Sequence, residues 1–259
     1  MELLKSIFLG IIQGLTEFLP VSSSGHLVLF ENILNLKFEG VAFETVLHAG
    51  TLLSLAVYFF KDIRKLAFNG FSGRNTEERR MLLYIILGTI PTGLIGLPLE
   101  KFFDSFKSVP FVAVMLMITG LIVYAGSRPQ KAEGRKIKLL DSIIIGICQG
   151  IAVIPGISRS GITISSGILR GIDRNEAARF SFLLSMPAVF GAFVLQLKHI
   201  SKLDASLAVL AGGFLASFIS GLIALKFLFG IIGRGKFRVF SYYCLAAGIF
   251  ILFVHMLRS

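Results

Sequence analysis

The sequence predicts an all-α polytopic membrane protein, with six transmembrane helices and two re-entrant helical hairpins in an inverted-topology repeat. Three observations lead to this prediction. Of the 259 residues, 54% are hydrophobic and only 16% are charged, and the mean hydropathy is +0.81. This composition lies far from that of soluble domains and is typical of helical membrane proteins. In addition, one segment of twenty residues occurs twice, and the basic residues gather in the connecting segments.

Six apolar stretches predict the transmembrane helices. Each is long enough to cross a hydrocarbon core of about 30 Å, which takes about 20 helical residues. The stretches lie at 44–60, 81–99, 110–127, 180–197, 205–225 and 239–257. The period-2 alternation of a membrane β-barrel is absent from their sequences, so we expect helices.

The repeated segment predicts the two hairpins. Residues 6–25 and 142–161 align without a gap, and nine of the twenty positions are identical. Each copy is an apolar run that Pro, Gly and Ser interrupt before the run resumes. The surrounding segments, at about 3–30 and 139–169, are long enough to enter the membrane, turn and leave on the same side.

The basic residues predict the topology. The net charge is +11, yet 25 of the 26 Lys and Arg residues lie in connecting segments or near the chain ends. That distribution is typical of membrane topology, so we expect no nucleic-acid partner. The segments 61–80, 128–138, 170–179 and 226–238 hold six, five, three and four basic residues. All four can face the cytoplasm only if each hairpin enters and leaves the membrane on the same side, and not if the hairpins span the bilayer.

This topology places both termini outside and inverts the second half of the chain relative to the first. Each half contains one hairpin and three spanning helices, an arrangement in which broken helices form a site near the bilayer midplane. We therefore predict a single integral membrane domain over residues 1–259. Its pseudo-repeats cover about 1–130 and 137–259.

The two interruptions carry the residues that suit an anion. Glu17 and the turn PVSSSGH at 20–26 belong to the first, and PGISRSGIT at 155–163 belongs to the second. Helix N-termini offer unpaired N–H groups to phosphate, and the Arg159 guanidinium can bind it with two N–H groups. A charge inside a membrane segment costs roughly 2.5–3.5 kcal/mol, which indicates a function for Glu17 and Arg159. A purely structural Glu17–Arg159 ion pair is the alternative.

The histidines divide into two groups. His26 directly follows the serine turn and is interpreted as functional. His48, His199 and His255 have no convergent partners in the sequence and are interpreted as core or interface residues.

At these residues the chain closely resembles the BacA-type undecaprenyl-diphosphate phosphatases. Gln13-Gly-Leu-Thr-Glu17 is similar to the (E/Q)xxxE motif of that family, and residues 155–163 are similar to its PGxSRSxxT motif. The resemblance spans essentially the whole chain. It implies removal of the terminal phosphate from undecaprenyl diphosphate at the outer face of the bacterial cytoplasmic membrane. The undecaprenyl phosphate formed is recycled as a carrier for peptidoglycan synthesis, and loss of the diphosphate gives resistance to bacitracin.

The needs of phosphoryl transfer predict roles for individual residues, because charge on the transferring group must be stabilised and the nucleophile aligned. Arg159 and Glu17 are expected to be catalytic, together with Ser23 and His26. The nucleophile is either Ser23, one of the hairpin serines, or a water molecule. His26 and Glu17 act as general base and acid, or Glu17 orients His26. The expected diphosphate-binding residues are Gln13, Ser22, Ser24, Ser158, Ser160 and Thr163.

Gln13 stands where many relatives have Glu, which leaves Glu17 as the only candidate metal ligand in this hairpin. A divalent cation, Mg²⁺ or Ca²⁺, is therefore expected to arrive with the diphosphate rather than in a protein site. No organic cofactor is expected. The oligomeric state, including a homodimer, stays open.

Two alternative functions come from other classes. Inverted repeats with broken helices are typical of transporters, so a polyprenyl-phosphate flippase or carrier is the first alternative. A general lipid phosphate phosphatase is the second, although the Lys- and Asp-bearing motifs of that class are missing from this sequence.

Overall fold

A computed structural model of the chain describes residues 2–33, 40–72, 76–103, 108–128, 134–200 and 206–258. Within these residues the protein is all-helical, apart from one isolated bridge between Arg135 and Ile172. The helices are α1 (Glu2–Phe18), α2 (Ser23–Ile33), α3 (Gly40–Tyr58), α4 (Phe60–Ser72), α5 (Thr76–Phe103), α6 (Val109–Gly126), α7 (Leu139–Ile151), α8 (Arg159–Leu169), α9 (Arg174–Ile200), α10 (Leu207–Gly233) and α11 (Val239–Arg258).

Five helices are long and apolar enough to cross a membrane, namely α5, α6, α9, α10 and α11. A sixth candidate span is α3, which continues into α4 through a bend of 68°. The predicted all-α membrane class is therefore confirmed. Several helices extend beyond the apolar stretches, because the flanking Glu, Lys and Arg residues are good helix formers.

The fold contains one helix that the sequence analysis assigned to a connecting segment. Residues 61–80 were interpreted as a basic loop, but α4 occupies most of them. This helix is amphipathic: Leu66 is buried and Ile63 packs beside it against the core, whereas Lys61, Arg64 and Lys65 are exposed. An apolar stripe on an otherwise polar helix is enough to hold it against a neighbour.

The turn of each hairpin follows from its local sequence. Pro20 cannot continue α1, and Ser22 adopts a left-handed φ of 66° before α2 begins. In the second hairpin Gly156 has a φ of 94°, and a Cβ at this position would lie 2.6 Å from Val112 O. Ser158 then caps α8, because its Oγ accepts a hydrogen bond of 3.1 Å from Gly161 N.

The first helix of each hairpin packs against a long helix of the other half. Gly10 in α1 lies against Gly213 in α10, and its counterpart Gly146 in α7 lies against Gly88 in α5. A Cβ at either hairpin glycine would collide with the facing backbone, so the absence of a side chain permits the close approach. The hairpin glycines Gly10 and Gly146 are 136 positions apart, and the long-helix glycines Gly88 and Gly213 are 125 positions apart.

Hydrogen bonds repeat the same relationship one turn earlier. Ser6 Oγ donates to Val209 O at 2.6 Å near the beginning of α10. Its counterpart Ser142 donates to Tyr84 O in the early part of α5. The pairs keep the same two offsets, so each half places its hairpin helix in the same way against the other half.

The beginning and the end of the second hairpin lie next to each other, joined through Asp141. Asp141, in the first turn of α7, accepts hydrogen bonds of 2.6 and 2.8 Å from Arg135. Arg170, which follows α8, donates to the same carboxylate. The turns of the two hairpins also meet, since Gly156 N donates to Ser24 Oγ at 3.4 Å.

Candidate active site

The meeting point of the two hairpins is organised around the Glu17 carboxylate. Arg159 Nη2 lies 2.5 Å from Oε1, and Ser23 Oγ donates to Oε2 at 2.6 Å. Gln13 Nε2 donates to the same Oε2 at 3.0 Å. The Glu17 and Arg159 side chains are only 9% and 16% exposed. A buried carboxylate needs such partners, because burying an unpaired charge is very costly.

Each of these residues has a defined place in its own hairpin. Gln13 and Glu17 are four residues apart in α1, so they lie on one face of that helix. Ser23 is the first residue of α2, and Arg159 is the first residue of α8. These two positions are equivalent in the repeat. The same place in each hairpin therefore supplies a hydroxyl in one copy and a guanidinium in the other, and both contact Glu17.

The remaining serines form matching caps in the two turns. Ser22 Oγ lies 3.3 Å from Ser24 Oγ and accepts from Gly25 N, also at 3.3 Å. In the second turn, Ser158 Oγ lies 3.2 Å from Ser160 Oγ. Ser22, Ser158 and Ser160 are buried, whereas Ser24 is exposed. The caps hold both helix N-termini towards the meeting point, which suits the binding of an anion there.

Thr163 lies deeper than the turns. Its Oγ1 donates to Arg159 O at 2.7 Å and lies 2.5 Å from Ser181 Oγ in α9. The side chain is fully buried. In this arrangement Thr163 supports the backbone of Arg159 and ties α8 to α9.

His26 is held at both ring nitrogens. Nδ1 lies 2.8 Å from Ser22 O, and Nε2 lies 2.7 Å from the Tyr243 hydroxyl in α11. Because a carbonyl oxygen only accepts, Nδ1 carries the proton in the neutral ring and Nε2 accepts from Tyr243. Within the described residues no hydrogen bond joins His26 to Glu17. The alternative in which Glu17 orients His26 thus has no support in this geometry.

His48 is a site residue that the sequence analysis missed. The interpretation that it lacks a convergent partner is wrong, since its Nε2 lies 3.8 Å from Glu17 Oε2. Its Nδ1 donates to Glu44 O at 2.8 Å, which orients the ring. The sequence could have identified His48 by its position in an apolar stretch, because an ionisable residue inside a membrane segment is a functional candidate by default. His255 is exposed, and the side chain of His199 lies outside the described residues.

Two buried polar atoms at the site have no hydrogen-bond partner among the described residues. They are Arg159 Nη1 and Gln13 Oε1. Buried charged groups are almost always satisfied in folded proteins, so the unpaired Nη1 of the guanidinium is a candidate ligand-binding atom. The free N–H groups of Nη1 suit a phosphate oxygen, which would accept a charge-assisted hydrogen bond.

The donor set does not suit a divalent cation held by the protein. The described residues contain no group of three or more acidic, His or Cys side chains that could hold a metal ion. Both oxygens of Glu17 already accept hydrogen bonds, and the Arg159 guanidinium contacts the same carboxylate. A cation bound to Glu17 would have to displace that positive charge.

Comparison with known proteins shows the family of this chain. The family model described as bacitracin resistance protein BacA matches residues 6–250. A protein of Halothermothrix orenii named undecaprenyl-diphosphatase is 42% identical to this chain, over 97% of this chain and 98% of its own length. Proteins with the same name from Methanosphaera stadtmanae and Korarchaeum cryptofilum are 41% and 44% identical, over 96% and 97% of this chain and 96% and 99% of their own lengths. Since the family match covers residues 6–250 and these relatives are 41–44% identical over nearly the whole chain, the chain belongs to the bacitracin resistance protein BacA family.

Proposed function

We propose that this membrane protein hydrolyses undecaprenyl diphosphate to undecaprenyl phosphate and inorganic phosphate, at the site where the two hairpins meet. The observation that carries the proposal is the Glu17 carboxylate between Ser23 and Arg159. Ser23 Oγ donates to this carboxylate at 2.6 Å, which is the contact that a nucleophile makes with its general base. The product returns to use as the lipid carrier for peptidoglycan synthesis, and removal of the diphosphate underlies bacitracin resistance.

In the first step, Ser23 Oγ attacks the terminal phosphorus and its proton passes to Glu17. The bond between phosphorus and the bridging oxygen breaks, and the electron pair leaves with undecaprenyl phosphate. The reaction needs little covalent chemistry beyond this transfer, so alignment and charge stabilisation carry most of the catalysis. Ser23 and Glu17 are already in hydrogen-bond contact, which supports this assignment.

Arg159 stabilises the charge on the transferring phosphoryl group. Its Nη2 pairs with Glu17, whereas its Nη1 is buried without a partner among the described residues. Nη1 can therefore bind a phosphate oxygen while the ion pair stays in place. The guanidinium can contact the base through one nitrogen and the phosphoryl group through the other, which the single ammonium of Lys cannot do with the same geometry.

In the second step, water attacks the phosphoserine and the phosphorus–Ser23 bond breaks. Glu17 returns its proton to Ser23 Oγ, and inorganic phosphate leaves. A second base must take the proton of the attacking water. His26 is our candidate, because it lies one helical turn after Ser23 on α2.

We also propose the topology that the charge distribution predicts, with re-entrant hairpins, both termini outside and the site open to the outer face. One observation in support is a cavity of about 600 Å³ lined by Lys65, Lys136 and Arg179. These residues come from three of the four basic segments, which therefore share one end of the molecule. The second hairpin also begins and ends near this cavity, at Asp141 and Arg170.

The first hairpin begins at the opposite end. Ser6 bonds to Val209 at the beginning of α10, whereas Phe229 near the end of α10 packs against Phe182 in the early part of α9. The length of α10 thus separates the beginning of the first hairpin from the end of the molecule where Lys65, Lys136 and Arg179 lie. This arrangement supports hairpins that enter from opposite faces and two inverted pseudo-repeats sharing one core.

A divalent cation is proposed to reach the site bound to the diphosphate. The residues around Glu17 do not form a cage for it, as described above.

The proposal is tested by phosphate release from the purified protein in detergent. Undecaprenyl diphosphate is compared with shorter prenyl diphosphates and with phosphatidic acid. We expect release from the prenyl diphosphates and loss of release in the Arg159→Ala variant. Binding of undecaprenyl diphosphate without phosphate release would overturn the proposal in favour of a carrier, since detergent offers no second compartment.

A further inference from the structure

The second turn of α11 approaches the turn of the first hairpin. Tyr243 stacks on His26, with ring centroids 5.7 Å apart and an interplanar angle of 11°. Its neighbour Cys244 contacts the same turn, since its Sγ lies 3.3 Å from Pro20 O. Two consecutive residues of α11 therefore hold this turn in place.

The Tyr243 hydroxyl forms a hydrogen bond with Nε2 of His26, the ring nitrogen that carries the lone pair. Nδ1 donates to Ser22 O, so Nε2 is the nitrogen able to take a proton, and it lies 2.7 Å from the hydroxyl. His26 is 6% exposed, whereas Tyr243 is 48% exposed. A proton can therefore reach the lone pair of the buried His26 through the hydroxyl of the more exposed Tyr243.

We propose that Tyr243 relays a proton to His26 during hydrolysis of the phosphoserine. As the oxygen of the attacking water bonds to phosphorus, one of its protons passes to the Tyr243 oxygen. Tyr243 passes its own proton to His26 Nε2, and the bond between phosphorus and Ser23 Oγ breaks. Ser23 Oγ takes the proton held by Glu17, and the His26 imidazolium later releases its proton to solvent.

This inference rests on the proposed phosphatase reaction and divides its two steps between two bases. Glu17 serves the formation of the phosphoserine, because it contacts Ser23 directly. The Tyr243–His26 pair serves its hydrolysis. Removal of the relay should then slow the second step and leave the first unchanged, which a general loss of structure would not do.

The test is rapid-quench measurement of covalent phosphate with undecaprenyl diphosphate labelled in its terminal phosphate. Tyr243→Phe keeps the stacked ring and removes only the hydroxyl. We expect phosphoenzyme to form at the wild-type rate and to accumulate, while steady-state turnover falls about 10²- to 10⁴-fold, the range of a lost general base. Tyr242→Phe is the matched control, since Tyr242 is 56% exposed at the adjacent position, and it should behave as wild type.

Coupling between the two residues provides a second measurement. His26→Asn should also accumulate phosphoenzyme, and the double variant should be no slower than the slower single variant, because both changes remove the same relay. In ¹⁵N spectra, the Nε2 resonance of His26 should move in Tyr243→Phe while Nδ1 keeps its proton. This spectrum also reports folding of the variant without reference to activity.

The possible failures are distinguishable. Normal turnover in Tyr243→Phe, or additive effects in the double variant, would overturn the relay and leave the phosphatase proposal intact. Absence of covalent phosphate in every variant, with phosphate still released, would overturn Ser23 as nucleophile and the relay with it.

Discussion

Arg159 and Glu17 form an ion pair of 2.5 Å across 142 positions of the chain, each from a different hairpin. The pair closes the site only when both hairpins are in place. It leaves one guanidinium nitrogen unpartnered among the described residues, which is where a phosphate oxygen would bind. The same contact therefore joins the halves of the protein and prepares the site for its substrate.

Arg159→Ala should abolish turnover while the protein still inserts into the membrane. Arginines that stabilise a transferring phosphoryl group contribute about 10³- to 10⁵-fold to turnover. Arg159→Lys should retain only a small part of the activity, because a lysine ammonium cannot contact Glu17 and phosphate with a planar fork. Phosphate release and size-exclusion profiles in detergent are measured together. Lys136→Ala is the control, and retained activity in Arg159→Ala would refute the anion-binding role.

Ser23→Ala should remove all covalent phosphate, and Glu17→Gln should slow its formation. Glutamine keeps the shape of Glu17 but cannot take the proton of Ser23. Rapid quench of a single turnover measures both effects. Thr89→Ala, which removes a hydroxyl that donates to Ile85 O within its own helix, is the control. Phosphate bound to protein in Ser23→Ala would show that another group is the nucleophile.

His48→Ala should lower turnover by about 3- to 10-fold, since a favourable contact of about 1 kcal/mol with Glu17 is lost. The 3.8 Å separation from Glu17 Oε2 indicates a supporting role for the ring rather than an essential one. His255→Ala, at an exposed position of α11, should leave turnover unchanged. Equal activities of the two variants would contradict the place given to His48 in the site.

Gly146→Ala should lower the melting temperature in detergent. A methyl group at this position meets the backbone of Gly88, and overpacking of this kind costs about 1–3 kcal/mol. Gly93→Ala should instead raise the melting temperature, because nothing lies within 4 Å of its added Cβ and alanine favours a helix by about 0.5–1 kcal/mol. A loss of stability in Gly93→Ala equal to that in Gly146→Ala would contradict the packing argument.

Cysteine labelling should place Lys136 and Leu207 on opposite faces of the membrane. The two side chains are 86% and 81% exposed. In a background with Cys148 and Cys244 replaced by alanine, an impermeant reagent on intact cells should label Leu207→Cys. Lys136→Cys should react only after permeabilisation. The reverse pattern would overturn the proposed orientation, and labelling of both in intact cells would overturn the inverted arrangement.

The sequence was informative wherever a residue stood out from its neighbours. Glu17 and Arg159 were identified because a charge within an apolar segment is costly wherever its partner lies. The two turns followed from Pro20 and Gly156, whose backbone preferences act locally. His48 was missed because its chain neighbours are apolar and its partner belongs to another helix. Tyr243 was missed because an aromatic residue in an apolar stretch is usually a packing residue.

The sequence by itself determined the membrane class, the positions of the long helices and the two interruptions that carry the site. Membrane insertion and helix formation depend on composition over some twenty residues, so these features can be read locally. The tertiary structure decided which hydroxyl contacts Glu17, which hydroxyls cap helices, and that His26 pairs with Tyr243. Those choices depend on how distant helices pack, because a hydrogen bond requires its two atoms to lie within about 3 Å of each other.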